Sequence, residues 1–170
     1  MLVTLDPWQY KFCVGVAADR MATSNAAGWN HASTYKRTHL ERTVEEVVGA
    51  CGEMAAAMAL NVFWSPSVNT FHKVPDLPGN IEVRSTTKTT GRVSLIIRDN
   101  DPEDRIYVLV TGEPPTLEVV GWYFGSDARQ ERWLSDPRDL RPAWFVPREE
   151  LHPISVLAEE LAKPKEMETA

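Results

Sequence analysis

A chain of 170 residues with 43% apolar and 25% charged residues has the composition of one ordinary globular domain, long enough to bury a core. No apolar run approaches the roughly 20 residues that span a bilayer, and the first residues lack the basic and apolar segments of a signal peptide. We therefore expect a cytoplasmic protein without a membrane partner. The net charge of −6 argues against nonspecific nucleic-acid binding by the whole surface.

The negative charge is unevenly distributed along the chain. Residues 149–170 contain six acids and two lysines, so this end carries a charge of −4 and the remainder only −2. The segment 84–98 contains four basic residues and no acid, namely Arg84, Lys88, Arg92 and Arg98. A local basic strip of this kind can contact phosphates even on an acidic protein.

The first elements predicted are two helices separated by a loop. Asp6 followed by Pro7 predicts the start of the first helix, which places Trp8, Phe12 and Val16 on one face. Residues 24–33 are rich in Asn, Gly, Ser and Ala and predict a loop.

The second helix is predicted over residues 43–60, where Thr43 and Glu46 have the spacing of a capping box. Gly49 and Gly52 each cost this helix roughly 1 kcal/mol relative to Ala, and their benefit is close approach to a neighbouring element. The predicted buried stripe consists of Val44, Val47, Val48, Cys51, Met54, Ala55 and Met58. Cys13 and Cys51 lie in apolar helical patterns without a C-x-x-C spacing, so we expect small buried residues rather than metal or redox groups.

The hydrophobic period then changes to that of strands, predicted over residues 80–86, 92–98, 105–111 and 116–124. The third run is almost continuously apolar, which is typical of a central strand covered on both faces. A short helix over 126–134, a short strand over 144–146 and a last helix over 153–161 complete the order. These elements predict an α/β fold with a central mixed sheet of about four strands flanked by helices. Residues 1–161 would form a single domain, and residues 162–170 a disordered acidic tail.

Two carboxylates stand close together at the start of the first predicted strand. Asp76 lies in a turn rich in Pro and Gly, and Glu82 lies within the strand that follows. Hard cations such as Mg²⁺ take a few carboxylate oxygens and backbone carbonyls and keep several waters. Arg84 follows Glu82 by two residues and shares its strand face, where a cation can hold a phosphate beside the metal.

Three features of the chain form one pattern: Asp76, the run Glu82-Val83-Arg84, and Glu53 on the preceding Gly-Ala-Cys-Gly-Glu helix. This pattern resembles the PD-(D/E)XK nuclease superfamily. The resemblance covers roughly residues 45–133, and it implies a restriction-endonuclease-like core. More narrowly, the Gly-x-x-Gly-Glu helix, the Glu-Val-Arg strand and the run from Gly121 to Gly125 resemble small bacteriophage- and prophage-encoded proteins of unassigned function. The cytoplasm would then be that of the bacterial host.

The resemblance implies a role for each matched residue. Asp76, Glu82 and the carbonyl of Val83 would bind Mg²⁺ or Mn²⁺, with Glu53 as a further carboxylate. The metal would activate water for attack on a phosphodiester of DNA, and Gln130 on the predicted helix after the strands would face the site. Arg84, Lys88, Arg92 and Gln130 would contact the nucleic acid.

Two departures from the family pattern bear on catalysis. Arg84 replaces the family's lysine, and because arginine stays charged at working pH it can clamp a phosphate but cannot act as a base. Lys88, four residues on, takes that place if the strand bulges. The gap between Asp76 and Glu82 is also short. Both departures favour a fold that is kept while catalysis is lost or altered.

Each candidate residue also has an ordinary structural interpretation. Asp76 fits a turn in which Asp bonds its own backbone, Glu82 fits a solvated strand position, and Glu53 fits a helix surface. His31, His39, His72 and His152 have no zinc-site spacing. The aromatic residues Trp122, Tyr123, Phe124, Trp133, Trp144 and Phe145 favour core packing, with a base-stacking platform as the alternative.

Three hypotheses follow from the sequence. The first is a metal-dependent deoxyribonuclease whose partner is DNA. The second is a catalytically inactive nuclease-fold accessory protein that binds nucleic acid or a host protein. The third is a homodimeric structural protein that pairs through exposed strand edges.

Overall fold

A computed structural model describes residues 1–26, 38–68, 74–137 and 141–163 of the chain. The three α-helices are α1 (Pro7–Ala26), α2 (His39–Leu60) and α3 (Ile154–Ala162). The seven strands found in these residues are β1 (Leu2–Thr4), β2 (Ile81–Thr86), β3 (Ser94–Arg98), β4 (Ile106–Glu113), β5 (Thr116–Phe124), β6 (Leu134–Ser135) and β7 (Ala143–Pro147). Two 3-10 turns, Glu131–Trp133 and Arg148–Glu150, complete the order.

The strands form two sheets, and the larger is the mixed four-stranded sheet that the sequence predicts. Its order is β1-β5-β4-β2, in which β2 pairs with β4 in parallel and the other pairs are antiparallel. The smaller antiparallel sheet has the order β3-β7-β6. The chain therefore leaves the large sheet after β2 and returns to it at β4.

The large sheet has an apolar core on each of its faces. Helices α1, α2 and α3 cover one face, where Ile81 and Val83 of β2 and Val108 of β4 lie in the first cluster. The small sheet covers the other face, where Tyr107 and Leu109 of β4 lie in the second cluster. Because side chains alternate along a strand, β4 contributes to both clusters, as its continuous apolar run predicts.

Helix α1 begins at Pro7 as predicted, but its buried face is different from the predicted one. Cys13 and Val16 are buried, whereas the side chains of Trp8 and Phe12 are 64% and 46% exposed. The start is closed by Gln9, whose Oε1 accepts a hydrogen bond from the backbone N–H of Asp6 at 2.7 Å. The aromatic residues near the start of the helix are therefore not part of the core.

Helix α2 begins five residues earlier than the capping box at Thr43 predicts. Thr38 is the N-cap: its Oγ1 accepts from the backbone N–H of Glu41, and the Glu41 carboxylate accepts from the backbone N–H of Thr38. The buried stripe also shifts, because Val44 and Met58 are exposed while Ala50, Gly52, Glu53, Ala56, Ala57 and Leu60 are buried. Cys13 and Cys51 are both buried free thiols, as predicted.

The strand predictions hold better than those for the following segment. Strand β5 has the predicted bounds, and β2, β3, β4 and β7 differ from prediction by one or two residues at their ends. The prediction of a helix over 126–134 is wrong, because only the 3-10 turn Glu131–Trp133 forms there. Strands β1 and β6 are not predicted from the sequence. The loop predicted over 24–33 is wrong for residues 24–26, which belong to α1, and the tail predicted over 162–170 is wrong for Ala162, which ends α3. The rest of that loop, residues 164–170, His31 and His72 lie outside the described residues.

Among the helices that the structure describes, none combines the length and the apolarity that crossing a membrane requires.

Candidate functional site

Asp76 lies at the outer edge of β2, as the turn before that strand predicts. An isolated antiparallel bridge between Leu77 and Ile81 closes the turn, with Asn80 in the left-handed region at φ 61°. This turn folds Asp76 back along the strand, where its Oδ2 accepts a hydrogen bond from the backbone N–H of Val83 at 2.8 Å. The carboxylate is thus held by the strand that carries Glu82.

Glu53 is buried, so it does not occupy the helix surface. Its two oxygens each accept a hydrogen bond from Arg20 of α1 at 2.8 Å, in the parallel bidentate arrangement that arginine and carboxylate favour. The indole N–H of Trp64 donates to the same carboxylate at 3.0 Å. Arg20 also donates to the carbonyl of Ser67 at 2.9 Å. Glu53 therefore already accepts three hydrogen bonds from buried donors.

Glu82 is also buried, and it lies on the face of the sheet away from α2. Side chains alternate along β2, so Val83 faces the helices while Glu82 and Arg84 face the small sheet. The Oε2 of Glu82 lies 2.8 Å from Nη1 of Arg105, and its Oε1 lies 3.6 Å from Nη1 of Arg84. Both oxygens of Glu82 are therefore paired with arginines.

Arg84 is a member of this buried charge network. Its Nη2 lies 2.9 Å from Oδ1 of Asp101, and its guanidinium lies over the ring of Tyr107 at 5.3 Å from the centroid. The other oxygen of Asp101 accepts from the backbone N–H of Arg98 at 2.9 Å. Arg84 thus joins β2 to the turn between β3 and β4, and only about a fifth of its side chain is exposed.

Asp76 carries the unbalanced charge of this region. Burial, together with the negative charges of Glu53 and Glu82, raises the pKa of Asp76 to about 7, against the lowering effects of the Val83 N–H and Arg84. The three predicted carboxylates are therefore close enough to interact electrostatically. Glu53 and Glu82 have arginine partners, whereas the described residues supply Asp76 with one backbone donor.

The predicted magnesium site can be tested against this geometry. In the described parts of the chain, no three His, Cys, Asp or Glu side chains lie together as a metal-binding group. Glu53 and Glu82 lie on opposite faces of the sheet, and a cation shared between them must displace Arg20 on one side and Arg105 on the other. Of the predicted ligands, which are Asp76, Glu82, Glu53 and the Val83 carbonyl, the two glutamates thus already have arginine partners.

Comparison with protein families, curated proteins and solved structures returns no match. The resemblance to the PD-(D/E)XK superfamily therefore rests on the sequence motif alone.

A second feature of the surface is a groove of about 790 Å³ between the end of β2 and the outer face of the small sheet. Four cationic side chains line it: Lys88 and Arg92 from the turn before β3, Arg132 from the first 3-10 turn, and Arg148 after β7. Among the described residues that line the groove, Glu149 is the only acidic one. We call this feature the cationic groove.

The four cations differ in their pairing. Arg148 lies 3.0 Å from Oε1 of Glu118, and Arg132 lies 3.8 Å from Oε2 of Glu150 at the surface. Lys88 and Arg92 are exposed and have no acidic partner among the described residues. The uncompensated positive charge of the groove therefore comes from the turn between β2 and β3.

Arg132 is held in place by the segment in which the sequence predicted a helix. Its Nε donates to Oε1 of Gln130 at 2.8 Å, and its guanidinium lies over the ring of Trp133 at 4.3 Å from the centroid. Gln130 is fixed in turn by donating to the carbonyl of Asp127 at 2.8 Å. Gln130 thus positions a groove cation and is not among the groove's lining residues.

The predicted site residues therefore divide between two places. One group lies around the start of β2 and consists of Asp76, Val83, Glu82, Glu53 and Arg84. The other group, Lys88 and Arg92, lines the cationic groove at the opposite end of β2. Strand β2 ends at Thr86 without carrying Lys88 back toward Asp76.

The partners of the buried carboxylates were not predicted. They are Arg20 and Trp64 for Glu53 and Arg105 for Glu82, and Asp101, the partner of Arg84, is not predicted either. Arg20 lies 33 residues from Glu53, and Arg105 lies 23 residues from Glu82, so no local sequence spacing predicts these pairs.

Proposed function

We propose that this protein binds nucleic acid through the cationic groove. The observation that supports the proposal is the grouping of Lys88, Arg92, Arg132 and Arg148 in one concave surface of a protein whose net charge is −6. On such a protein, phosphate contacts are expected only where positive charge is concentrated. The arginine pairing of Glu53 and Glu82 favours binding over hydrolysis.

Salt-dependent binding tests this proposal. We expect a fluorescein-labelled oligodeoxynucleotide to bind in fluorescence anisotropy, with an affinity that falls between about 50 and 200 mM salt as counterions are released. In the double variant Lys88→Ala/Arg92→Ala the affinity at low salt should fall about tenfold. The slope of log affinity against log salt should become shallower by about 1.4, because two phosphate contacts are lost.

The matched control is the double variant Lys11→Ala/Lys163→Ala. It makes the same change in net charge at two exposed lysines outside the groove. We expect it to keep the affinity and the salt slope of the unmodified protein. No binding by the unmodified protein, or equal losses in the two double variants, overturns the proposal.

Metal-dependent hydrolysis of DNA is a second candidate function, favoured by the unbalanced carboxylate of Asp76 beside Glu53 and Glu82. The same samples test it when they are incubated with Mg²⁺ or Mn²⁺ and analysed on a denaturing gel. Cleavage that Asp76→Ala abolishes supports a nuclease. Intact DNA, or equal cleavage by Asp76→Ala, leaves nucleic-acid binding without hydrolysis.

A further inference from the structure

The floor of the cationic groove has a composition that is unusual for the outer face of a sheet. Leu95 and Val146 form one cross-strand pair of the small sheet and point into the second core cluster. The next pair, Ile96 and Phe145, lies on the opposite face and lines the groove. A sheet with one face on the core normally has polar side chains on the other.

This apolar pair is partly open to the groove. Ile96 and Phe145 are both half-buried, and Pro147 extends the same face beside them. An aromatic ring and an aliphatic side chain that remain accessible form a surface on which a flat apolar ligand can lie. The cations that line the groove surround this floor, so the groove offers an apolar base and a positive rim.

We infer that the cationic groove binds single-stranded nucleic acid, with bases against Phe145 and Ile96 and phosphates at Lys88, Arg92 and Arg132. This inference rests on the proposed function and names its ligand. A duplex keeps its bases stacked inside and presents phosphates, so it leaves the apolar floor uncovered. A single strand exposes base faces and phosphates together, and stacking on aromatic side chains within a basic groove is its usual mode of binding.

The size of the groove agrees with this ligand. A volume of about 790 Å³ lies within the range of roughly 300 to 1,000 Å³ typical of sites for small organic molecules. It can therefore hold a short stretch of unstacked nucleotides. Because the contacts are to base faces and phosphates, little dependence on base sequence is expected.

The test compares a labelled single strand that does not self-pair with the duplex formed by the same strand and its complement, at equal salt. We expect the single strand to bind about tenfold more tightly. In Phe145→Leu, which keeps an apolar side chain but removes the ring, single-strand affinity should fall by roughly fivefold or more while duplex affinity is unchanged.

The control is Phe124→Leu, which removes a partly exposed ring outside the groove and should leave both affinities unchanged. Equal or tighter duplex binding overturns the inference while the proposed function stands. An unchanged single-strand affinity in Phe145→Leu also overturns it. Absence of binding to either ligand overturns the proposed function itself. The comparison of single strand and duplex uses the unmodified protein, so it decides the question even if Phe145→Leu fails to fold.

Discussion

At the scale of single residues, the buried charges around β2 decide what the predicted site can do. Glu53 and Glu82 have ordinary interpretations as surface residues in the sequence, but each is more than nine-tenths buried and paired with an arginine. Burying a carboxylate is unfavourable unless it is paired and hydrogen-bonded, so these arginines make the burial possible. Asp76 has no such partner among the described residues, and its charge is the one most easily lost.

We predict that Asp76 makes folding stability depend on pH. Its pKa is raised from 3.8 to about 7 in the folded chain, so between these values the folded state binds more protons than the unfolded state. Stability must then fall as pH rises, by up to about 1.4 kcal/mol per pH unit for one proton, and level off above the folded pKa. Asp76→Asn keeps an oxygen for the Val83 N–H and removes the titration.

The measurement is urea unfolding of both proteins in EDTA from about pH 4.5 to pH 8, a range that covers the transition. Subtracting the two curves cancels the titrating groups that do not interact with Asp76. The difference should favour Asp76→Asn increasingly up to about pH 7. Parallel curves across this range would show that Asp76 is charged in both states and contradict the prediction.

At the scale of elements, the approach of α2 to the sheet depends on one of its two interior glycines. A Cβ on Gly52 would overlap Oγ of Ser85 on β2, whereas a Cβ on Gly49 meets no atom within 4 Å. The sequence predicts close packing for both residues, and the structure places it at Gly52 alone. The contact of this helix with β2 is what holds Glu53 beside Asp76.

We therefore predict opposite effects of the two alanine substitutions. Gly52→Ala should lower the free energy of unfolding by about 1 to 3 kcal/mol, because the helix or Ser85 must move to relieve the overlap. Gly49→Ala should raise it by roughly 0.5 to 1 kcal/mol, since alanine restricts the unfolded chain more than glycine does. Urea unfolding measures both. The prediction fails if Gly52→Ala is as stable as Gly49→Ala.

The sequence predicts an element well when a local residue pattern defines it, and poorly when contacts between distant residues define it. Strand β5 was predicted with its observed bounds because its apolar alternation is local. Thr38 and Thr43 are each followed three residues later by Glu, so local spacing cannot choose between the two caps. Strand β1 has only three residues, and it is defined by its pairing with β5.

The same limit applies to the candidate site. The positions of Asp76 and Glu82 follow from a turn and a strand, which are local features. Their electrostatic partners come from other elements, and the side of the sheet that each glutamate faces depends on how α2 and the small sheet pack. The cationic groove likewise joins segments distant in sequence, and of its four cations the sequence predicts only Lys88 and Arg92 as nucleic-acid contacts.

At the scale of the whole molecule, the two core clusters share one sheet. Strand β4 supplies Val108 to the cluster under the helices and Leu109 to the cluster under the small sheet. The small sheet comes from the connection between β2 and β4 and from the segment that precedes α3. Loss of either cluster therefore exposes apolar surface on the sheet that supports the other, and we predict that both unfold in one cooperative transition.

Leu95→Ala tests this prediction from the side of the small sheet. Leu95 is fully buried in the second cluster, so truncation should cost about 2 to 5 kcal/mol of folding free energy. Native-state hydrogen exchange then reports which backbone amides lose protection. In a cooperative molecule, the most protected amides of α2, on the opposite face of the sheet, lose the same free energy of exchange as those of β7. Val156→Ala, at an exposed position of α3, should leave both unchanged. A loss confined to β3 and β7 would mean that the small sheet opens by itself, and the cationic groove on its outer face would then open with it.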